Sequence, residues 1–155
     1  MGMCIRGIVL CAAVLLLGAG QVVAARCEDT VREFNRQLRS KINEQELVTV
    51  LRSLNASRNR QLPLAFITKR QARASGWRPG SDLWSVPSLR GKSIGGDRFG
   101  NRERRLPDGR GEWREADLDY HGGHRGAKRL LYADGGLRMV TVDHYRSFRE
   151  VPACE

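Results

Sequence analysis

The segment WREADLDY, at residues 113–120, gathers carboxylates on one face of a predicted strand. Alternation along a strand places Trp113, Glu115, Asp117 and Asp119 on one side, and Arg114, Ala116, Leu118 and Tyr120 on the other. A carboxylate can act as a general base and an imidazole as the matching general acid across a reacting phosphate. His144 is the candidate imidazole. Glu115 and His144 therefore predict proton-transfer chemistry, although each residue alone is typical of a solvated surface.

Basic residues elsewhere in the chain could act together with Glu115 and His144. The side chains that could bind phosphate oxygens are Lys69, Arg125 and Arg129. The chain of 155 residues contains 27 Lys and Arg against 17 Asp and Glu, which gives a formal net charge of +10. This excess indicates an acidic partner, such as nucleic acid, an anionic membrane or an acidic protein. A solvated cationic surface is the alternative.

Two other motifs do not indicate a site. GKSIGGD, at residues 91–97, lacks the earlier glycine of a nucleoside triphosphate loop because Val86 occupies that position. Its glycines instead predict a bend or bulge in a strand. His121 and His124 lie close together, but no further ligand has a recognisable spacing. The sequence therefore predicts neither a metal site nor a cofactor.

The first 25 residues differ from the rest of the chain. They contain one charge, Arg6, then an apolar run and then small residues, which is the pattern of a secretory signal peptide. The apolar run is short for a membrane span. We place cleavage after Ala25, with cleavage one residue earlier and an uncleaved anchor as alternatives. The expected localisation is secreted or periplasmic, without stable membrane association after cleavage.

The cysteine positions predict one disulfide. Cys4 and Cys11 lie in the predicted signal peptide, which leaves Cys27 and Cys154 near the two ends of the mature chain. Two cysteines of an exported protein usually pair with each other. Two free thiols or an intermolecular bridge are the alternatives.

Helical patterns precede strand patterns along the chain. Apolar residues recur at helical spacing behind Asp29 and again behind Asn43, each a possible N-cap. Glu46 adds the spacing of a capping box, and Thr68 with Gln71 repeats it before a short third helix. Strand patterns follow at 93–99, 113–119, 129–133, 137–142 and 146–151. This order predicts an α+β fold, with N-terminal helices packed on one face of a C-terminal antiparallel sheet of about five strands and the carboxylates on its open face.

Several of these segments resemble the secreted bacterial guanyl-preferring ribonucleases, the barnase-like family. They are FITKRQARASGW (66–77), GKSIGGDRFGNRERRLP (91–107), WREADLDY (113–120), HRGAKRLLYA (124–133) and TVDHYRSF (141–148). The combination of GKSIGGD, NRE, WREAD and DHY is specific. The resemblance implies one domain, with a helical segment at 26–60 and a ribonuclease core at 61–155. Residues 27–42 and the cysteine pair look like additions to the family pattern.

The resemblance also implies a reaction, which is RNA cleavage by transphosphorylation through a 2′,3′-cyclic phosphate, without a metal. Glu115 resembles the family's general base, and His144 resembles its general acid. Lys69, Arg125 and Arg129 resemble the cationic clamp on the phosphate. Asp117 resembles a buried carboxylate that orients the arginines, whereas Asp119 is expected only to be solvated.

Base recognition maps onto the segment FGNRE. The implied base-binding residues are Phe99, Asn101, Arg102, Glu103 and Tyr145. Glu103 would accept hydrogen bonds from guanine N1 and N2, and neighbouring backbone N–H groups would contact O6. The aromatic side chains, with His144 as a further candidate, would stack on bases. Gly100 departs from the family pattern, in which a serine is usual, and this change could loosen base selectivity.

Three functions are compatible with these sequence features. The first is a secreted guanyl-preferring endoribonuclease, which would bind single-stranded RNA as a monomer. By resemblance, a small acidic inhibitor of the barstar class is its further partner. The second is a non-catalytic cationic domain that binds nucleic acid on the same fold, with salt-sensitive affinity. The third is a membrane-active cationic protein, which ranks last because the chain lacks a long basic amphipathic helix.

Overall fold

The computed structural model describes residues 25–108 and 111–155. The predicted signal peptide, with Cys4 and Cys11, lies outside the described residues except for Ala25. The helices are α1 (Cys27–Arg36), α2 (Glu44–Ser57) and α3 (Lys69–Ala74). The strands are β1 (Phe66–Ile67), β2 (Ser93–Arg98), β3 (Trp113–Asp117), β4 (Arg129–Ala133), β5 (Arg138–Thr141) and β6 (Arg149–Glu150). Two single-turn 3₁₀-helices, Leu83–Ser85 and Pro87–Leu89, lie in the connection between α3 and β2.

The six strands form one sheet in chain order from β1 to β6. All neighbours are antiparallel except β1 and β2, which run parallel. This architecture confirms the predicted α+β fold. The sequence did not predict β1, because a strand of two residues is too short to show an alternating pattern. Strand β6 begins three residues later than predicted.

Helices α1 and α2 pack on one face of the sheet. Their buried side chains form one cluster with Ala116, Leu118 and Leu130, which lie on β3, just after it and on β4. The predicted N-cap Asp29 is wrong, because α1 begins at Cys27 and Asp29 forms ion pairs with arginines before and after it. Among the described residues, no helix is long and apolar enough to span a bilayer.

Asp119 is not the solvated carboxylate that we expected. Its side chain is only 14% exposed and forms an ion pair with Lys128, with 2.6 Å between Nζ and Oδ2. Its Oδ1 also accepts a hydrogen bond from the Asn43 backbone, while its own N–H donates to Glu46. Glu46 is therefore turned away from the capping box, and Asn43 alone caps α2. Asp119 thus joins the start of α2 to the end of β3, a contact across 76 residues that the local pattern could not reveal.

The predicted bulge lies in β2. The pairing register with β3 shifts between Gly95 and Asp97, and Gly96 has a φ of +93°. A Cβ atom on Gly95 would lie 2.7 Å from Cδ1 of Phe66, so glycine permits this close approach. The bulge places the Asp97 carboxylate where it accepts a hydrogen bond from the Lys69 backbone N–H. This contact fixes the start of α3 relative to the sheet.

The chain ends are joined covalently and by hydrogen bonds. Cys27 and Cys154 form the disulfide that the sequence predicted. The Cys27 N–H donates to the Glu155 carbonyl, and the Glu155 N–H donates to the Ala25 carbonyl. Asn55 on α2 donates to the Cys154 carbonyl at 2.8 Å. The C-terminal segment is therefore fixed against α1 and α2, on the helical side of the sheet.

Candidate active site

Strand β3 presents Glu115 and Asp117 on the sheet face opposite α1 and α2. Trp113, on the same side of the strand, packs with Leu131 rather than with the helical core. The carboxylates are nevertheless not open to solvent, because Glu115 is 6% and Asp117 is 2% exposed. Part of the expected open face is covered by hydrophobic side chains from two loops, namely Phe99, Leu106, Tyr145 and Phe148.

Glu115 is held between two hydrogen-bond donors. Lys69 Nζ lies 2.7 Å from its Oε1, and the Tyr145 hydroxyl lies 2.6 Å from its Oε2. Burial raises the pKa of Glu115, but the hydrogen bonds from Lys69 and Tyr145 and the charge of Lys69 outweigh burial, so the pKa is lowered overall. Burial and the Glu115 contact together raise the pKa of Tyr145 to about 12. The site therefore holds an ionised carboxylate and a protonated phenol at neutral pH.

Asp117 pairs with both predicted arginines. Arg125 donates from Nε at 2.5 Å and from a terminal nitrogen at 2.7 Å, a bidentate contact. Nε of Arg129 lies 2.9 Å from Oδ1 of Asp117 but is not aligned for a hydrogen bond. Arg129 is anchored instead by two backbone carbonyls, those of Gly126 and Lys128. The hydrogen bond to Asp117 raises the pKa of Arg125 despite burial.

His144 lies in the tight turn after β5 and is exposed. His144 and Tyr145 both have positive φ angles, +56° and +67°. Their rings are 5.0 Å apart between centroids, so His144 lies beside the residue that contacts Glu115. The turn is fixed by Asp143, which accepts hydrogen bonds from Thr141 and Ser147. The contact with Ser147 is the largest of the effects that lower the pKa of Asp143 to about 2.

Asp143 and Thr141 have roles that the sequence pattern did not predict. Thr141 Oγ1 accepts a hydrogen bond from the Tyr145 N–H and is buried in β5. The available signal was a run of short polar side chains flanking DHY, which favours side-chain contacts to the backbone of a turn. These residues position His144 and Tyr145 without lying against Glu115.

The predicted base-binding residues line one pocket of about 620 Å³ between the 98–105 loop and the 145–148 segment. Glu103 is 73% exposed at this pocket and pairs with Arg105, with 2.7 Å between Oε2 and Nε. The Asn101 side chain is occupied by both backbone groups of Leu106, so it closes the loop. The exposed Arg102 also lines the pocket.

Tyr145 makes two contacts that the sequence did not predict. Its ring stacks on Phe99, with centroids 5.4 Å apart, and its hydroxyl donates to Glu115. Tyr145 therefore connects the pocket to the buried carboxylate, in addition to any contact with a base.

The arrangement brings together a buried, ionised Glu115, its partners Lys69 and Tyr145, the nearby charge of Arg125 and the exposed imidazole beside Tyr145. Such a set can move protons at a reacting phosphate and stabilise its negative charge. In the part of the chain that the structure describes, no group of three or more His, Cys, Asp or Glu side chains is placed to hold a metal ion.

Comparisons with known proteins agree with this geometry. The model of a family described as ribonuclease matches residues 52–152. A ribonuclease of Heyndrickxia coagulans is 48% identical over 96 residues, which are 61% of this chain and 86% of that protein. Ribonucleases of Bacillus intermedius and Bacillus pumilus are also 48% identical over 96 residues, which are 58% of each of those proteins. Helix α1 and both disulfide cysteines lie outside the matched range.

Proposed function

The chain belongs to the ribonuclease family and is an RNA-cleaving enzyme, and from this premise we propose that it is a secreted endoribonuclease with a preference for guanosine. The proposed reaction cleaves single-stranded RNA on the 3′ side of guanosine and passes through a 2′,3′-cyclic phosphate. It requires no metal. The observation that carries this proposal is the burial of an ionised Glu115 between Lys69 and Tyr145, next to two arginines held by Asp117.

In the first step, Glu115 takes the proton of the 2′-hydroxyl. The 2′-oxygen forms a bond to phosphorus, the bond from phosphorus to the 5′-oxygen breaks, and His144 protonates the leaving 5′-oxygen. In the second step the roles reverse. His144 takes a proton from water, the water oxygen forms a bond to phosphorus, the bond from phosphorus to the 2′-oxygen breaks, and Glu115 returns its proton to the 2′-oxygen. The lowered pKa of Glu115 supports its role as the first base, because it is ionised at neutral pH.

Arg125 and Arg129 would stabilise the negative charge that develops on the phosphate oxygens. Lys69 would share its donor between Glu115 and the phosphate. Once Glu115 has accepted the 2′-hydroxyl proton, its attraction for Lys69 weakens, which frees the ammonium group for the phosphate. Because this contact of Lys69 with the phosphate strengthens only as the proton is transferred, it stabilises the transition state more than the bound substrate.

Guanine preference would come from the pocket beside Tyr145. The exposed carboxylate of Glu103 would exchange its contact with Arg105 for guanine N1 and N2, and backbone N–H groups at Asn101 and Arg102 would contact O6. Phe99 and Tyr145 would provide the aromatic surface for the base. The existing contact between Glu103 and Arg105 is solvent-exposed and therefore costs little to exchange.

Product mapping tests the proposal. Oxidised protein comprising residues 26–155 is incubated in excess chelator with a single-stranded RNA that contains all four bases. We expect cuts 3′ of guanosine with 2′,3′-cyclic ends, and a rate lower by about 10²–10⁴-fold for Glu115→Ala, as for loss of a general base. Cuts without guanine preference would contradict the role of Glu103 only. Tight RNA binding without cleavage would instead support the non-catalytic binding domain.

The acid limb of the pH profile tests the environment of Glu115. Tyr145→Phe removes one of the hydrogen bonds that lower the pKa of Glu115, while burial continues to raise it. The pKa of Glu115 should rise, so the fall in kcat/KM on acidification should begin at a higher pH. Tyr132→Phe is the matched control, because Tyr132 is buried on the helical side of the sheet. An acid limb that is unchanged in Tyr145→Phe would show that the phenol does not tune this carboxylate.

Export would follow from the signal peptide pattern in residues 1–25, which predicts a secreted or periplasmic enzyme. A small acidic inhibitor of the barstar class would suit the cationic cleft by charge. We propose that such an inhibitor binds the monomeric enzyme over Arg125, Arg129 and Lys69.

A further inference from the structure

Helix α3 differs from the other helices in its charge. Helices α1 and α2 each carry two acidic residues in the first turn, as expected where the helix dipole is positive. Helix α3 has the sequence KRQARA and contains no acidic residue. Its capping box uses Gln71, although glutamate would serve the same geometry. The helix therefore carries three cations, with no carboxylate of its own to offset them.

The three cations lie on one side of α3. At 100° per residue, Lys69, Arg73 and Arg70 fall within an arc of about 100°, whereas the buried Ala72 lies outside it. Side chains three or four residues apart on a helix are separated by about 5–6 Å at Cβ. Lys69 reaches Glu115, so the row begins at the reacting centre. Arg73 and Arg70 continue it outward to the exposed surface.

The outer two cations have no ion pair. Among the described residues, Lys69 pairs with Glu115, but no carboxylate lies within ion-pair distance of Arg70 or Arg73. Like charges three or four residues apart destabilise a helix slightly, and cations in a first turn oppose its dipole. Only Arg73, in the last turn, is favourably placed toward the dipole, so helix stability does not account for the whole row, and the positive charge of its outer two residues is available to an anionic ligand.

We propose that Arg70 and Arg73 form a binding subsite for RNA phosphates beyond the scissile one. The inference rests on the proposed function and extends it from one phosphate to a strand. The substrate would run along the exposed side of α3, with its scissile phosphate at Lys69 and its next phosphates at the two arginines. The enzyme would thereby favour long single-stranded RNA over a dinucleotide.

Substrates of two lengths test this subsite. The Arg70→Gln/Arg73→Gln variant is compared with the unchanged protein on a dinucleotide with a 5′ guanosine and on the same dinucleotide extended by three nucleotides at each end. We expect kcat/KM on the longer substrate to fall about tenfold at low salt. The ratio of kcat/KM on the longer substrate to kcat/KM on the dinucleotide should fall by the same factor. Cleavage of the dinucleotide by the unchanged protein tests the proposed function separately.

Binding supplies a second readout. The longer RNA, made with a single 2′-deoxyguanosine at the cleavage position, binds without being cut. Loss of two phosphate contacts should reduce the slope of log K against log salt by about 1.4. The matched control is Arg39→Gln/Arg149→Gln, which removes two exposed cations outside α3 that form no ion pair with the described residues, and it should alter neither measurement. Equal losses on both substrates, or equal salt slopes in the two variants, would overturn the proposal.

Discussion

Replacing Asp117 with asparagine is expected to lower both the free energy of unfolding and kcat/KM for RNA cleavage. Asp117 is the carboxylate shared by Arg125 and Arg129, and the Arg129 side chain is only 4% exposed. Removing one partner of a buried pair leaves an uncompensated charge and costs about 3–5 kcal/mol. The asparagine has almost the same size, so the loss reports charge rather than volume.

The effect on cleavage should follow from the displaced arginines. Without Asp117, Arg125 remains under the charge of Glu115, which already acts on it. A catalytic group displaced by about 1 Å can lose about 10²-fold in rate, so we expect a reduction of that order in kcat/KM. Inhibition by inorganic phosphate should weaken in parallel, because the same two guanidinium groups would bind it.

Asp119→Asn is the matched control for this substitution. Asp119 follows the same strand and also pairs with a cation, but its partner Lys128 lies away from the cleft and is more exposed than Arg129. Asparagine also tolerates the positive φ of +56° at this position. We expect a smaller loss than for Asp117→Asn, about 1–3 kcal/mol for a partly exposed, hydrogen-bonded charge, and unchanged kcat/KM. Urea unfolding measures the loss of stability, and kcat/KM is measured at a temperature at which each variant is folded. Together, the two measurements separate the effect on stability from the effect on cleavage. An Asp117→Asn protein that unfolds and cleaves like the unchanged one would refute the shared-counterion argument.

The fold was predictable where a short pattern determines it. The order of helices before strands, the capping box at Thr68 and the bulge near Gly96 all follow from local residue types. The interactions that cause these features form between residues close together in the chain, so the features can be predicted from one sequence. The exceptions are the two-residue strand β1 and the start of α1, where tertiary contacts decide.

The candidate site was predictable in its residues but not in its contacts. The residue types indicated an acid, a base and cations, and the family resemblance indicated which residues they are. The contact of the Tyr145 hydroxyl with Glu115 and the contact of Asp119 with the Asn43 backbone join chain segments 30 and 76 residues apart. Such pairs form only when the sheet brings distant segments together, so the alternating pattern along one strand does not predict them.

Breaking the disulfide is expected to destabilise the protein strongly while leaving its catalytic chemistry intact. The bridge joins residues 127 positions apart. In the loop-entropy model, closing a loop of this length stabilises the folded state by about 5 kcal/mol. The bridge lies on the helical side of the sheet, and both Cys27 and Cys154 are outside the residues that match the ribonuclease family. The reacting groups on β3 and in the 143–147 turn do not contact it.

Two forms of the protein separate the cross-link from the packing of its sulfur atoms. Cys27→Ala/Cys154→Ala removes both, whereas the chemically reduced protein keeps the buried sulfur atoms and loses only the covalent bond. Urea unfolding of the reduced protein should show most of the loss, and the alanine variant should lose more because both side chains are buried. At low temperature, kcat/KM should stay within about twofold of the oxidised value in both forms, since neither change reaches the cleft. Equal unfolding free energies for the oxidised and reduced forms would mean that the hydrogen bonds of Cys27, Asn55 and Glu155 already hold the chain ends together. A large loss of kcat/KM in folded, reduced protein would show instead that α1 and the bridge support the site across the sheet.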